Sequence, residues 1–189
     1  MEPIERKSYW NAAGMAALIF GFVVFLISTT GAYITIHSEP SGSFFSGSIL
    51  ASVIGCLAGA FGGVLAVRFF INEHGPEMKI GKGAVIGLAT GLLMALFSQF
   101  LTLIWPLVDA SFLENYQAAM IANIEMMDLL PAAQKEEMID AIYTQIQNFY
   151  SPGSIIQALL LGFVSYGLLN LLSGTLSAKF MGTQPEHVL

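Results

Sequence analysis

Four long apolar runs constrain this chain of 189 residues more than any other feature. They cover about residues 10–36, 44–71, 80–108 and 154–180. Each exceeds the roughly 20 residues that a helix needs to cross a hydrocarbon core about 30 Å thick. In a bilayer every backbone N–H and C=O must find its partner inside the protein, so runs of this length are expected to be helices. A membrane β-barrel would instead show alternating segments of about ten residues, which this sequence lacks.

The composition agrees with four membrane spans. The chain is 55% hydrophobic and 11% charged, whereas charged residues make up about a quarter of an ordinary soluble domain. The sequence therefore predicts an all-α integral membrane protein. We expect a four-helix bundle in one membrane domain, with an extramembrane amphipathic helical hairpin at 109–151 between spans three and four.

Six of the seven basic residues stand beside the same ends of these runs. They are Arg6, Lys7, Arg68, Lys79, Lys82 and Lys179, and only Lys135 breaks the pattern. Basic residues that flank apolar spans stay on the cytoplasmic side far more often than not, whereas acidic residues contribute little to topology. We therefore expect both termini in the cytoplasm, and the hairpin with the turn at 37–43 outside.

The first run has some features of a signal peptide, because Arg6 and Lys7 precede it. Its apolar stretch is longer than the roughly 7–15 residues of a signal core, and acidic residues dilute the positive charge ahead of it. These are Glu2 and Glu5. We expect a retained membrane helix.

The chain has a net charge of −6, and nearly all of this charge comes from the segments expected on the outer side of the membrane. Eight acidic residues there stand against the single lysine Lys135. Nucleic acid is excluded as a partner because no basic face exists to neutralise phosphates.

The insertion at 109–151 carries the end signals of two helices. Ser111 followed by Glu114 is typical of a capping box. Pro131 interrupts the apolar pattern and suits the first position of a new helix. Ser151 and Pro152 then predict the cap and the first residue of the fourth span. We expect helices at about 111–129 and 131–150.

Both predicted helices have one apolar stripe, at spacings of three and four. We expect Leu113, Met120, Ile124, Ile142 and Ile146 to point inward, and Glu114, Glu125, Glu137 and Asp140 towards solvent. The stripes can pack on each other, lie on lipid or bind a partner. An acidic polar face disfavours the lipid surface, because helices on anionic lipid normally carry Lys and Arg there.

Small residues recur every four positions in two of the runs, in the pattern of a glycine zipper. The second run carries Gly47, Ala51, Gly55, Gly59 and Gly63, and the third carries Gly83, Gly87, Gly91 and Ala95. Such stripes let helix backbones approach closely, which is a main source of helix association in lipid. The pattern predicts that spans two and three form an antiparallel pair through these glycines. Sliding helices or a narrow pore are the functional alternative.

The centres of the four runs contain no ionisable residue, although transporters and proton pumps usually carry such groups there. The deepest polar residues are Gln99 and Asn170. Either residue can contact a solute. An isolated Asn in a span more often bonds a neighbouring helix, which contributes about 1 kcal/mol.

Catalytic constellations are missing from the sequence. His37, His74 and His187 lie in separate connections without a second ligand at metal spacing, and Cys56 stands alone in an apolar run. No phosphate-binding loop or nucleophile motif is present. We therefore expect no enzyme activity, no metal and no cofactor.

A glycine-rich third run beginning Lys79-Ile-Gly-Lys-Gly83, a Met-, Glu- and Gln-rich insertion and then Ser151-Pro152-Gly153 make up a recognisable pattern. With its four spans, the chain resembles the DUF4199 family of small bacterial membrane proteins over nearly its whole length. The resemblance implies a multi-pass protein of the bacterial inner membrane. It supplies no activity, catalytic residue or cofactor.

Two functions fit these observations. The first is a structural or accessory subunit that packs in a larger membrane assembly or a homo-oligomer, with Glu137 and Asp140 on the partner surface. The second is a small transporter or channel for a neutral or lipidic solute, with Asn170 and Gln99 as polar contacts. A water-filled cavity reaching Asn170 favours transport, and a solid apolar bundle favours the accessory role.

Overall fold

The computed structural model describes residues 8–43 and 47–183. Seven helices form that part of the chain: α1 (Trp10–His37), α2 (Gly47–Gly59), α3 (Phe61–His74), α4 (Ile80–Val108), α5 (Phe112–Glu125), α6 (Ala132–Gln147) and α7 (Pro152–Met181). Arg6, Lys7 and His187 lie outside the described residues, as does the expected start of span two at Phe44.

Four of these segments are long and apolar enough to cross a membrane. They are Trp10–His37, Gly47–His74, Ile80–Val108 and Pro152–Met181. The predicted all-α membrane architecture is thereby confirmed, and α5 and α6 form the helical insertion between the third and fourth spans.

The second span consists of two helices rather than the single uninterrupted helix that its apolar run predicts. A turn at Ala60 separates α2 from α3. Ala60 keeps a right-handed helical backbone, and its N–H donates to the carbonyl of Cys56 at 3.1 Å. The turn lies among Gly59, Gly62 and Gly63, and glycine is a common cause of helix irregularity.

The chain divides into two compact units. Unit 1 takes in the described residues of Met1–Val24, Cys56–Ser98 and Leu161–Leu189, and unit 2 those of Phe25–Gly55 and Gln99–Leu160. Unit 1 thus holds α3 with most of α4 and α7, and unit 2 holds α5 and α6.

Small side chains dominate the core of unit 1. One cluster brings together Ala12, Ala16, Ala66, Val67, Phe70, Met78, Ile86 and Ala178, and a second brings together Ala17, Val24 and Met94. Alanine at helix contacts lets backbones come close, so that packing can substitute for the hydrophobic drive that lipid does not supply.

The connection between α3 and α4 is closed by backbone hydrogen bonds. Gly75 ends α3 with a φ of +89°, and its N–H donates to Ile71 at 2.8 Å. The N–H of Thr183 donates to Pro76 at 2.9 Å, and the N–H of Met78 donates to Thr183 at 3.2 Å. Gly75 is thus the stop of α3, and the two bonds of Thr183 join this connection to the segment after α7.

The caps of the hairpin depart from the sequence prediction at two positions. Ser111 makes no side-chain capping bond to α5. The backbone of Ser111 is already helical, with φ −86° and ψ −8°, whereas a capping residue is typically extended, so the predicted capping box is wrong. The Ser111 hydroxyl donates instead to the Asp109 carboxylate at 2.8 Å. Pro131 caps α6 rather than opening it as first residue.

The start of α7 matches the prediction. The helix begins at Pro152, and the Ser154 N–H donates to the Ser151 hydroxyl at 3.2 Å. Ser151 is therefore the cap, as its position before a proline predicts.

Burial in the hairpin follows the two apolar stripes. Ile124 is buried, and Leu113, Met120, Ile142 and Ile146 are half-buried. All four acidic residues expected in solvent, Glu114, Glu125, Glu137 and Asp140, are exposed. α6 has no fully buried residue, so one side of the hairpin remains open.

Candidate functional site

Asn170 in α7 is fully buried, with an exposed fraction of 0%. Its Oδ1 accepts a hydrogen bond from the backbone N–H of Gly63 in α3. Its Nδ2 donates to the carbonyl of Tyr166, one turn earlier in α7, at 2.9 Å. Both ends of the amide are thus bonded to backbone groups of the same chain.

The break at Ala60 explains why Asn170 is needed there. Gly63 lies in the first turn of α3, and first-turn N–H groups have no partner within their own helix. An unsatisfied N–H in a bilayer costs several kcal/mol. Asn170 supplies the missing acceptor and so caps α3 from a neighbouring span.

The glycine stripe of α4 packs against α7. A Cβ added to Gly83, Gly87 or Gly91 would overlap the carbonyl oxygens of Gly174, Asn170 and Tyr166, respectively. Conversely, a Cβ on Gly174 would lie 2.9 Å from the Gly87 Cα. The prediction that this stripe faces the stripe of span two is therefore wrong, since its partner is span four.

The glycines of the second span make separate contacts. A Cβ on Gly63 would lie 3.0 Å from the Gly174 nitrogen, so this glycine also borders α7. A Cβ on Gly59 would lie 3.1 Å from both the Tyr166 ring and the Met94 methyl group. Gly55 is buried. α7 is thus a neighbour of the α4 stripe and of the span-two stripe at Gly59 and Gly63.

Other buried hydroxyl groups in this region bond to their own helices. The Thr90 hydroxyl donates to Ile86 at 2.8 Å, and the Ser173 hydroxyl donates to Asn170 at 3.3 Å. A Cβ on Gly62 would meet both the Asn170 side chain and Thr90. The contact among α3, α4 and α7 is therefore a packed interface whose polar groups are used internally.

Unit 2 contains a second polar centre, at the end of α4. The Tyr33 hydroxyl donates to one oxygen of Asp109 at 2.5 Å. The N–H and hydroxyl of Ser111 donate to the other oxygen at 3.1 and 2.8 Å. The bond from Tyr33, together with those from Ser111, holds the pKa of the Asp109 carboxyl below its usual range.

Aromatic rings surround Tyr33. Trp105 meets it edge-on at 6.3 Å between ring centroids, Phe112 at 5.6 Å and His37 at 6.1 Å. Phe25 extends the group through an edge contact with Trp105 at 5.6 Å. These rings bring α1, α4 and α5 together around the Asp109 carboxylate.

Asn123 fastens α5 to the segment after α1. Its Oδ1 accepts from the N–H groups of Ser41 and Gly42 at 3.1 and 3.0 Å, and its Nδ2 donates to Ser43 at 3.3 Å. Gly42 has a φ of +64°, and a Cβ there would overlap the Met126 carbonyl. A residue with a side chain would be strained at position 42, since L residues rarely adopt positive φ.

The remaining sequence-derived candidates lie apart from these centres. Gln99 is half-buried in α4 and belongs to unit 2, whereas Asn170 belongs to unit 1. Glu137 and Asp140 are exposed and three residues apart, and therefore share a face of α6.

No cluster of metal-ligating side chains occurs in the described ranges 8–43 and 47–183. His37 Nδ1 lies 2.9 Å from the Tyr33 carbonyl oxygen, and His74 stacks on Phe70 at 4.5 Å. Both rings have local structural contacts.

Comparison with known proteins gives one match. A family model described as "Protein of unknown function (DUF4199)" matches residues 15–181. The chain belongs to the DUF4199 family. No curated protein and no solved structure matches it. The resemblance that the sequence pattern indicated is confirmed, and the family description assigns no activity.

Three polar residues of this DUF4199 protein that sequence reasoning missed are Tyr33, Asp109 and Asn123. Asp109 directly follows an apolar run, as a helix-end carboxylate often does, and this position was an available signal. Asn123 interrupts the apolar side of α5 next to Ile124, which also marks it as a buried polar group with a required partner. Tyr33 gave no such signal, because tyrosine near a span end is expected at the interface anyway.

Proposed function

We propose that this DUF4199 protein is a non-enzymatic structural or accessory subunit that packs within a larger membrane assembly or a homo-oligomer. The observation that carries the proposal is the bonding of Asn170. A solute must be able to reach the amide that binds it, whereas Asn170 is fully buried and its Oδ1 and Nδ2 bond to Gly63 and Tyr166. The deepest polar residue of the spans thus serves helix packing, which favours the accessory role over transport.

The open side of α6 is the surface best suited to a partner. Glu136, Glu137 and Asp140 are exposed there, and the apolar side chains of Met138 and Tyr143 are exposed beside them. Aromatic residues and Met are enriched in protein interfaces, and a ring of charge around them fixes the register of the partner. The complementary partner surface carries Lys or Arg around an apolar patch.

Membrane orientation belongs to the same proposal. The basic residues at the ends of the spans away from the hairpin are Arg68, Lys79, Lys82 and Lys179. They support a cytoplasmic location for that end and a periplasmic location for the hairpin, in a bacterial inner membrane. Lys135, the basic residue on the hairpin, donates to the Glu125 carbonyl at 2.8 Å and is used within the hairpin. The open surface is therefore acidic.

The test is purification in mild detergent, with the size of the complex measured by light scattering and its components identified by mass spectrometry. We expect the double variant Glu137→Lys/Asp140→Lys to lose the partner, or the second copy, that the wild type retains. The double variant Glu73→Lys/Glu77→Lys reverses two exposed charges away from the hairpin and should keep the complex.

Two results would contradict the accessory role. One is an unchanged complex in the Glu137→Lys/Asp140→Lys variant. The other is a solute flux in proteoliposomes that Asn170→Leu abolishes while the helix content stays at the wild-type level.

A further inference from the structure

An apolar groove runs along unit 2 between α1 and α2. Its floor is formed by Gly31, Gly47 and Ala51, where the two helices are so close that a Cβ on Gly31 would overlap the Ala51 side chain. Its walls are Leu26, Ile27, Thr30, Ile34, Leu50 and Ile54. The groove has a volume of about 470 Å³ and lies within two membrane spans, so it is bathed in lipid chains.

A polar cavity of about 340 Å³ adjoins the groove where α1 ends. It is lined by Thr35, Ser38, Glu39, Pro40, Ser41, Ala119 and Asn123. The hydroxyl of Ser41 accepts the Ser43 N–H at 3.3 Å, so its own hydrogen can be donated to a ligand. The Glu39 carboxylate is exposed at the rim.

The groove and the cavity are continuous. Ile34, Gly47 and Leu50 line both of them. An apolar channel in the hydrocarbon layer that opens into a polar cavity at the end of a span has the layout of one lipid molecule, with its chain below and its headgroup above. From Leu26 to Ile34 the groove follows α1 for about 12 Å, most of the roughly 15 Å depth of one leaflet.

Charge selects among lipid headgroups. Unit 2 contains one basic residue, Lys135, and its ammonium already donates to Glu125. An anionic headgroup would meet Glu39 without a cation to pair with. A primary ammonium would instead donate a charge-assisted hydrogen bond to the Glu39 carboxylate, and the adjoining phosphate would accept from the Ser41 hydroxyl.

We propose that unit 2 binds one phospholipid with a primary ammonium headgroup, a phosphatidylethanolamine, in the leaflet on the hairpin side. One acyl chain occupies the groove between α1 and α2, and the headgroup occupies the cavity at Glu39 and Ser41. Asn123 shapes this cavity, since it holds residues 41–43 in place against α5. The proposal does not depend on the accessory role, because it concerns a ligand of unit 2 alone.

Native mass spectrometry of the full chain tests the site. The protein is reconstituted in vesicles of phosphatidylethanolamine and phosphatidylglycerol in equal amounts with identical acyl chains, then extracted and stripped of loosely held lipid. We expect one retained phosphatidylethanolamine per chain, at about a threefold excess over phosphatidylglycerol, as a partly exposed charge pair allows. Retention without a headgroup preference, or a preference for phosphatidylglycerol, would overturn the proposal.

Matched variants separate the two parts of the site. Ile54→Trp fills the groove and should lose the retained lipid, whereas Val53→Trp adds the same ring to a neighbouring side chain of equal exposure outside the groove. Glu39→Gln should keep the lipid and lose the headgroup preference, and Glu114→Gln, exposed on α5, should keep both. Equal behaviour of the two tryptophan variants, or a preference that survives Glu39→Gln, would rule the site out.

Discussion

At the scale of single residues, stability depends on a few polar side chains that satisfy backbone groups. Asn170 caps the first turn of α3, and Asn123 holds the backbone of residues 41–43. Asp109 accepts from the backbone N–H of Ser111 as well as from the Tyr33 hydroxyl. In each case a short side chain replaces a partner that water or regular secondary structure would otherwise supply. Substitutions at these positions should therefore lower stability by more than the lost side-chain volume implies.

Asn170→Ala tests the cap of α3. Removing the acceptor leaves a buried N–H unsatisfied, which costs about 1–3 kcal/mol. For a chain of this length we expect the melting temperature in detergent to fall by about 2–4 °C for each kcal/mol. Ser165→Ala, at an exposed position on the same helix, serves as the control and should melt within about 1 °C of the wild type. Equal melting of both variants would show that Gly63 finds another partner.

Asp109 should make stability depend on pH. Its pKa is lowered by the bond from Tyr33, so the folded state binds this proton less tightly than the unfolded chain does. That contribution is present above the unfolded pKa, about 3.9, and is lost as the pH falls through the lowered value. Asp109→Asn should be less stable than wild type at pH 7, and the difference should shrink below about pH 4. A difference that stays constant from neutral to acid pH would contradict this assignment.

At the scale of helices, α7 organises unit 1. The stripe Gly83, Gly87 and Gly91 lies on it, and Gly63 borders it. Where the Cβ of a Gly→Ala substitution would overlap backbone atoms, relief requires a shift of a whole helix. Where the Cβ would overlap the end of a side chain, that side chain can change its rotamer.

A series of Gly→Ala variants measures this difference. Gly87→Ala puts a methyl group into the Asn170 carbonyl and should lower stability by about 1–3 kcal/mol, as overpacking does. Gly59→Ala meets the Tyr166 ring and the Met94 methyl and should cost less. Gly14→Ala has no neighbouring atom within 4 Å and should be neutral or stabilising, since alanine favours helix over glycine. Thermal unfolding in detergent ranks the three variants by stability. A Gly87→Ala variant as stable as Gly14→Ala would refute the close contact with α7.

Much of the secondary structure could be predicted, because hydropathy and end signals are local. The four apolar runs, the stop at Gly75 and the cap at Ser151 each depend on neighbours in the sequence. Helix pairing could not be predicted, because a period of four shows that one face is small but not which helix covers it. Ser111 failed as a capping box for a related reason. The turn that begins at Asp109 gives Ser111 a helical backbone, whereas a capping residue is typically extended.

The candidate site was predictable in part. Asn170 was found because a polar residue in an apolar span is conspicuous, and its expected bond to a neighbouring helix is present. Its partner could not be named, since the unsatisfied N–H of Gly63 follows from the break at Ala60. The lipid groove was equally hidden, because its floor depends on the crossing of α1 and α2 at Gly31 and Gly47.

At the scale of the whole chain, the distribution of charge is the observation that bears on the orientation of the protein in a membrane. Basic residues cluster where α3 ends and α4 begins and near the end of α7, while the hairpin carries seven of the thirteen acidic residues and the single lysine Lys135. The positive-inside rule supports the proposal that the connection at 75–79 lies in the cytoplasm. The same proposal puts the hairpin in the other compartment.

Cysteine labelling checks this orientation. In a Cys56→Ser background, an Asn148→Cys variant should react with an impermeant maleimide in intact spheroplasts. A Glu77→Cys variant should react only after the membrane is opened. Both positions are exposed, so burial does not limit the reaction. The reverse pattern would place the termini outside and the hairpin in the cytoplasm.

The break at Ala60 has a consequence for synthesis. Because α3 precedes α7 in the chain, the ribosome delivers the second span to the membrane long before it has made Asn170. Until Asn170 is made, the N–H of Gly63 in the first turn of α3 lacks this acceptor. We expect the partly made protein to remain bound to the insertion machinery during that time. A chain truncated before Pro152 would keep that defect permanently. We expect cells to recognise such a fragment as immature and to degrade it, so that the last span acts as the signal that assembly is complete.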